Sequence, residues 1–153
     1  MALHFSKEEF KKRKLDTLKS MKEQKLEALL MFRQESMYWL TGYDTFGYVF
    51  FQTLILDNKG NTILLTRAPD LRQAKNTSNI KDIRIWVDKD GSNPTDDLKK
   101  ILNELNLKKK KIGIEYEAYG MTGRNALRLN KSLKNYCDVE DQSELITKHR
   151  VIK

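Results

Sequence analysis

The sequence is short of the residues that build covalent and metal-bound sites: one cysteine, Cys137, and two histidines, His4 and His149, in 153 residues. A single thiol forms no internal disulfide and completes no CxxC or Cys/His spacing, which suits a reducing compartment and a small side chain used for packing. The histidines stand near opposite termini without an HxxxH or HxE partner, so neither a zinc site nor a catalytic triad has its parts. His4 is expected in a disordered tail and His149 on the polar face of a helix. Glycine and proline are few as well, seven and two. "GYDTFG" and "GMTG" match neither GxGxxG nor the P-loop pattern, and no serine sits in a GxSxG elbow. No run approaches the roughly 18 apolar residues of a membrane span, and "MALHFSKEEFKKRK" lacks the apolar core of a signal peptide. A cytoplasmic protein with no membrane partner is the expectation.

What is present is charge. Lys and Arg number 29 against 21 Asp and Glu, a net +8, with hydrophobic residues at 39% and charged ones at 33%. The mean hydropathy is −0.66. These values suit one compact domain over 1–153, with an adequate core and no room for a second. Residues 1–25 hold eight of the cations against four acids, and Lys108 to Lys111 form a second run. Neither cluster is interleaved with aromatics or set in a helix-turn-helix, RRM or zinc-finger spacing. Solvated lysine-rich faces are the expectation, and nucleic acid is not an expected partner.

Periodicity places the elements. "SKEE" is a capping box from Ser6 to Glu9, and Phe10, Leu15, Leu18 and Met21 recur at near-helical spacing, predicting a helix over 7–24. "KLEALLMF" predicts a strand, and "RQESMYWLTG" a short helix stopped at Gly42. "GYVFFQTLILD" and "NTILLT", joined by "NKG", predict a hairpin. Then follow a helix in "APDLRQAKN", a strand in "DIRIWVD", a helix from Pro94 and a strand in "KKIGIEYEAYG". Thr122 caps a further helix, and a short strand and a last helix close the chain. Alternation of this kind predicts an α/β fold, a three-layer α/β/α sandwich whose mixed sheet has about five or six strands.

Candidate chemistry is thin. Glu115 and Glu117 lie two apart at the end of a predicted strand and would share a face, where carboxylates are usually solvated. The rings of Tyr38, Trp39, Phe50 and Phe51 suit a core. "GYDTFGY", residues 42–48, resists that account: a two-glycine loop holding Tyr43, Asp44, Phe46 and Tyr48, displayed for a ligand or a partner.

The ordered set "ALLMFRQESMYWLTGYDTFGYVFFQTLILDNKGNTILLTRAPD", "KKIGIEYEAYGMT" and "ELITKHRVIK" resembles the N-terminal domain of the creatinase and Xaa-Pro dipeptidase family, the pita-bread metallohydrolases. "TRAPDLRQAKNTSNIKDIRIWVD" is similar to the ectoine-hydrolase-like branch. The resemblance implies a two-domain parent. A catalytic domain would follow residue 153, and there two aspartates, a histidine and two glutamates would hold two divalent ions (Mn, Co or Zn) that activate water for amide hydrolysis. Arg150 to Lys153 would mark the boundary, and this chain would be a separated, non-catalytic N-terminal domain. It also implies that such domains help form a homodimer and cover the active site with the loop after "TG", here Tyr43 to Phe50. The small peptide or amide substrate would then meet Tyr43, Asp44, Phe46 and Tyr48. Val49 and Phe50 stand where creatine-hydrolysing members carry an arginine, so creatine is not implied. Arg67 is the candidate contact for a substrate carboxylate, with pairing to Asp70 as the alternative. A second reading is a stand-alone binding module without hydrolase activity, engaging acidic partners through its lysines.

Overall fold

Ser6 begins the first helix as its spacing predicts: its Oγ accepts the Glu9 N–H at 3.1 Å, and α1 runs Lys7–Glu23. In the computed structural model, which describes residues 3–150, α1 buries Phe10, Arg13, Thr17 and Met21. Leu15, expected on that stripe, is 56% exposed. The boundary segment past Arg150 lies outside the described residues.

The chain then alternates. β1 (Ala28–Met31) leads to α2 (Gln34–Thr41), and β2 (Thr53–Asp57) turns through Asn58–Gly60 into β3 (Thr62–Arg67). α3 (Leu71–Thr77) and β4 (Asp82–Trp86) follow, then α4 (Pro94–Glu104), β5 (Lys111–Ile114), α5 (Gly123–Leu133) and β6 (Asp138–Asp141). Two local signals act as read: Thr122 Oγ1 caps α5 by accepting the Asn125 N–H at 3.2 Å, and Gly42 takes φ +83° to end α2. Two do not. Gly47–Val49 forms a 3-10 turn, so the strand expected from Gly47 begins only at Thr53. The last helix is a single 3-10 turn, Thr147–His149.

The six strands form one mixed sheet in the order β4-β3-β2-β1-β5-β6. β2 pairs antiparallel with both β1 and β3 while the other pairings are parallel, so β2 alone runs against the rest. Alternate residues of the central strands feed two cores. Leu30, Ile55, Leu65 and Ile112 face α4 and α5 through Leu98, Leu102, Leu129 and Leu133. Leu29, Leu54, Leu56 and Leu64 face Met21, Met37, Leu40 and Ala74 of α1, α2 and α3. Helices therefore cover both faces, and each fully buried Leu or Ile contributes about 1.5–3 kcal/mol relative to exposure. No helix among the described residues is long and apolar enough to cross a membrane.

Both terminal histidines are held. His4 Nδ1 lies 2.6 Å from the Tyr38 hydroxyl, so it is no loose tail residue. His149 Nε2 lies 2.8 Å from Ser20 Oγ, and its ring stacks on Trp39 at 6.1 Å. Cys137 is half-buried, and burial pushes its thiol up to about 11, so it stays protonated and inert near neutral pH.

Candidate functional site

Five strands point their C-terminal ends the same way, and β2 enters the sheet at that end. One end of the sheet therefore gathers the loop 42–52, Arg67 closing β3, Asp88 after β4 and the segment 115–121 after β5. Ligand sites of open α/β sheets lie characteristically at this end.

The loop is built from its first residue. At Gly42 a Cβ would lie 2.8 Å from the Thr77 carbonyl oxygen, so the left-handed turn and the close approach both demand glycine. The chain then drives Tyr43 inward. Its side chain is 0% exposed, its hydroxyl donates to Gln52 Oε1 at 2.8 Å, and burial pushes the phenol up. Tyr43 is thus an anchor of the loop, where the sequence suggested a displayed ring. Asp44 is exposed, its N–H on Thr77 Oγ1 at 3.0 Å. Phe46 stands 92% exposed.

Asp70 fixes what lies between. Thr45 Oγ1 donates to Asp70 Oδ1 at 2.7 Å and accepts the Gly47 N–H at 3.0 Å. A Cβ on Gly47 would meet that carboxylate at 2.3 Å, so the absence of a side chain lets the two pack. Arg67 lies 3.4 Å from Asp70 and 3.8 Å from Asp88, and its guanidinium sits 3.4 Å over the Phe50 ring centroid. Of the two roles open to Arg67, the structure shows the pairing with Asp70. Its Nε has no hydrogen-bond partner among the described residues.

The neighbouring segment leans on the same loop. A Cβ at Gly120 would lie 2.4 Å from the Phe50 carbonyl oxygen, and the Tyr119 ring packs edge-on against Tyr48 at 5.8 Å. Tyr119 is 76% exposed; the sequence places it at the end of the strand expected in "KKIGIEYEAYG", but β5 stops at Ile114 and leaves the ring in the loop beyond it. Phe46, Tyr48, Val49, Phe50 and Tyr119 together give this edge a set of exposed apolar side chains, the mark of an interaction surface.

Beside it lies an open cleft of about 450 Å³ lined by Arg33, Glu35, Tyr116, Glu117 and Tyr119. A second groove of about 340 Å³ lies between Phe5, Tyr38, Trp39, Asp44 and Arg150. Glu35 borders both.

Glu115 and Glu117 part company here, because β5 ends at Ile114 and strand alternation ends with it. Glu117 is exposed and takes Arg33, whose Nε donates to its carbonyl oxygen at 3.0 Å. Glu115, expected in solvent, is 0% exposed. It accepts the N–H groups of Phe32 and Arg33 at 3.1 and 3.0 Å and the Ser36 hydroxyl at 2.6 Å. Burial pushes its carboxyl up to about 7, against the pull of those donors. Among the described residues no three His, Cys, Asp or Glu side chains converge as a metal site.

Residues 13–152 match the sequence model of the Creatinase/Prolidase N-terminal domain. An uncharacterized hydrolase/peptidase of Sinorhizobium fredii, y4tM, is 28% identical over 158 aligned residues, 99% of this chain and 40% of the relative. The structure of a dipeptidase from Pyrococcus horikoshii superposes with TM-score 0.72 at 24% identity, over 92% of this chain and 37% of that one. A prolidase from Thermococcus sibiricus gives TM-score 0.76 at 19% identity, over 94% and 37%. A Xaa-Pro aminopeptidase structure from Streptococcus pyogenes gives 0.75 at 20%, over 95% of this chain and 100% of that one. At these identities the likeness shows the fold. The chain spans about two fifths of the length of the hydrolase/peptidase from Sinorhizobium and of the archaeal enzymes.

Proposed function

Because the chain belongs to the creatinase/prolidase N-terminal domain family, we propose that it serves as the non-catalytic N-terminal domain of a metal-dependent Xaa-Pro dipeptidase-like hydrolase. In this reading it helps form the homodimer and lends residues 43–50 as a cover over an active site built by a catalytic domain of the same polypeptide. One observation carries the reading: Phe46 projects into solvent from a loop whose flanks are pinned by Tyr43, Thr45 and Asp70.

A ring held out on a fixed base can exclude water and select a substrate side chain without an entropy cost at each turnover. Phe46, Tyr48 and Asp44 are the contacts, with Tyr43 as the anchor that orients them. Arg67, at the same end of the sheet and paired there with Asp70, is the cation that would meet a substrate carboxylate. The two divalent ions, Mn, Co or Zn, belong to the catalytic domain, whose ligands lie outside this chain. A small Xaa-Pro peptide or related amide is the substrate class, as the names of the structural relatives suggest.

The test uses the polypeptide that joins this domain to an Asp/Asp/His/Glu/Glu catalytic domain. Phe46→Ala should lower kcat/KM for a Xaa-Pro dipeptide by about tenfold or more, about 1.4 kcal/mol of transition-state stabilisation, with an unchanged melting temperature. An unchanged kcat/KM would remove the loop from the active site.

A further inference from the structure

A different surface runs from the β2-β3 turn and the start of β4 along α1 to the end of α2. Lys7, Lys11 and Lys14 stand four and three apart on α1, so they form one stripe about 10 Å long at 1.5 Å per residue. That stripe faces the β2-β3 turn, where a Cβ on Gly60 would lie 3.9 Å from Lys14 Nζ. Lys81 closes the far wall at the start of β4. Between them runs an open groove of about 870 Å³ with half-buried Leu3 and Leu105 among its lining.

Its charge is uncompensated. The carboxylates on its rim, Asp82 and Glu104, both bind Arg84, with Nη2 at 3.0 and 3.1 Å. None of the ion pairs among the described residues uses Lys7, Lys11, Lys14 or Lys81. Lysines alone around a concave, partly apolar surface focus a positive potential without fixing a planar anion.

We infer that this groove docks an acidic polypeptide segment that also carries apolar side chains. Carboxylates at alternate positions of an extended segment recur about every 6.6 Å, so four residues reach two of the lysines while the side chains between them meet leucine. Single-stranded nucleic acid fits less well. Among the described residues Phe10 is the only ring in the lining and is buried, and the sole arginine there is committed to its two carboxylates, so these residues offer no stacking platform.

Fluorescence anisotropy of the 153-residue chain with three labelled probes tests this: a random glutamate-tyrosine copolymer, poly-L-glutamate and oligothymidylate. The copolymer should bind tightest, and binding should weaken with salt. Replacing Lys7, Lys11 and Lys14 together by Gln should weaken it about tenfold or more, whereas the same change at Lys108, Lys109 and Lys110 should cost less than about threefold. The single exposed change Lys11→Glu gives the same direction should the triple variant melt early. Equal losses from the two triples, tighter binding of oligothymidylate, or no copolymer binding at low salt would each overturn the assignment.

Discussion

Two rings three positions apart in one loop have opposite duties. Tyr43 closes the core beneath the loop with its hydroxyl on Gln52, while Phe46 touches water over most of its surface. Truncation should therefore separate them. Tyr43→Ala should cost about 3–5 kcal/mol in urea unfolding, the range for emptying an aromatic core site, whereas Phe46→Ala should stay within about 0.5 kcal/mol. Equal costs would mean that the loop packs otherwise. The sequence makes "GYDTFGY" stand out but does not say which ring turns in. That choice is made by the positive φ of Gly42, legible as a helix stop, together with the Thr45-Asp70 hydrogen bond, whose partners stand 25 residues apart and which no local pattern encodes. Arg67 is legible in part, since an Asp three residues on is its simplest partner.

Helix α2 shows how one element borrows its cap from another. Arg33 at its N-cap supplies no side-chain acceptor, and Glu115 from the end of β5 takes the Phe32 and Arg33 N–H groups and the Ser36 hydroxyl instead. The arrangement has a pH signature. The folded carboxyl titrates at about 7, raised from its ordinary 4.5, so between those values the folded state holds more protons than the unfolded one. Stability from this group is full below the unfolded value and falls as pH rises through about 7. The charge of Arg33 pulls the other way, less strongly than burial pushes. Glu115→Gln should accordingly show a flatter decline in urea midpoint between about pH 5 and about pH 8 than the parent chain. An unaltered slope would place the titration elsewhere. Spacing could not reveal this, because a cap between residues 33 and 115 exists only once β1 and β5 are paired.

The layered architecture was legible throughout, since alternating helix and strand periods leave few ways to bury both. What periodicity could not supply was the strand order, which depends on β2 entering antiparallel between β1 and β3 and leaving β4 and β6 at the edges. That order predicts a gradient of local stability. β1 and β2 are buried along their whole length and hydrogen-bonded on both sides, while β6 is exposed or half-buried at every position. Native-state hydrogen exchange should find the amides of Leu29, Leu30, Leu54 and Ile55 opening only with global unfolding, and those of Val139 and Glu140 opening at lower free energy. Protection in β6 equal to that in β1 would mean that its outer edge is covered in solution. The aromatic edge and the lysine groove draw on different residues, and neither is lined by the β1 and β2 positions that exchange slowest. A rigid middle of this kind lets each surface be altered without disturbing the other, so Phe46→Ala should leave copolymer binding by the chain unchanged and should not add to the loss caused by the three-lysine replacement; a further loss in the combined variant would mean that the two surfaces are coupled.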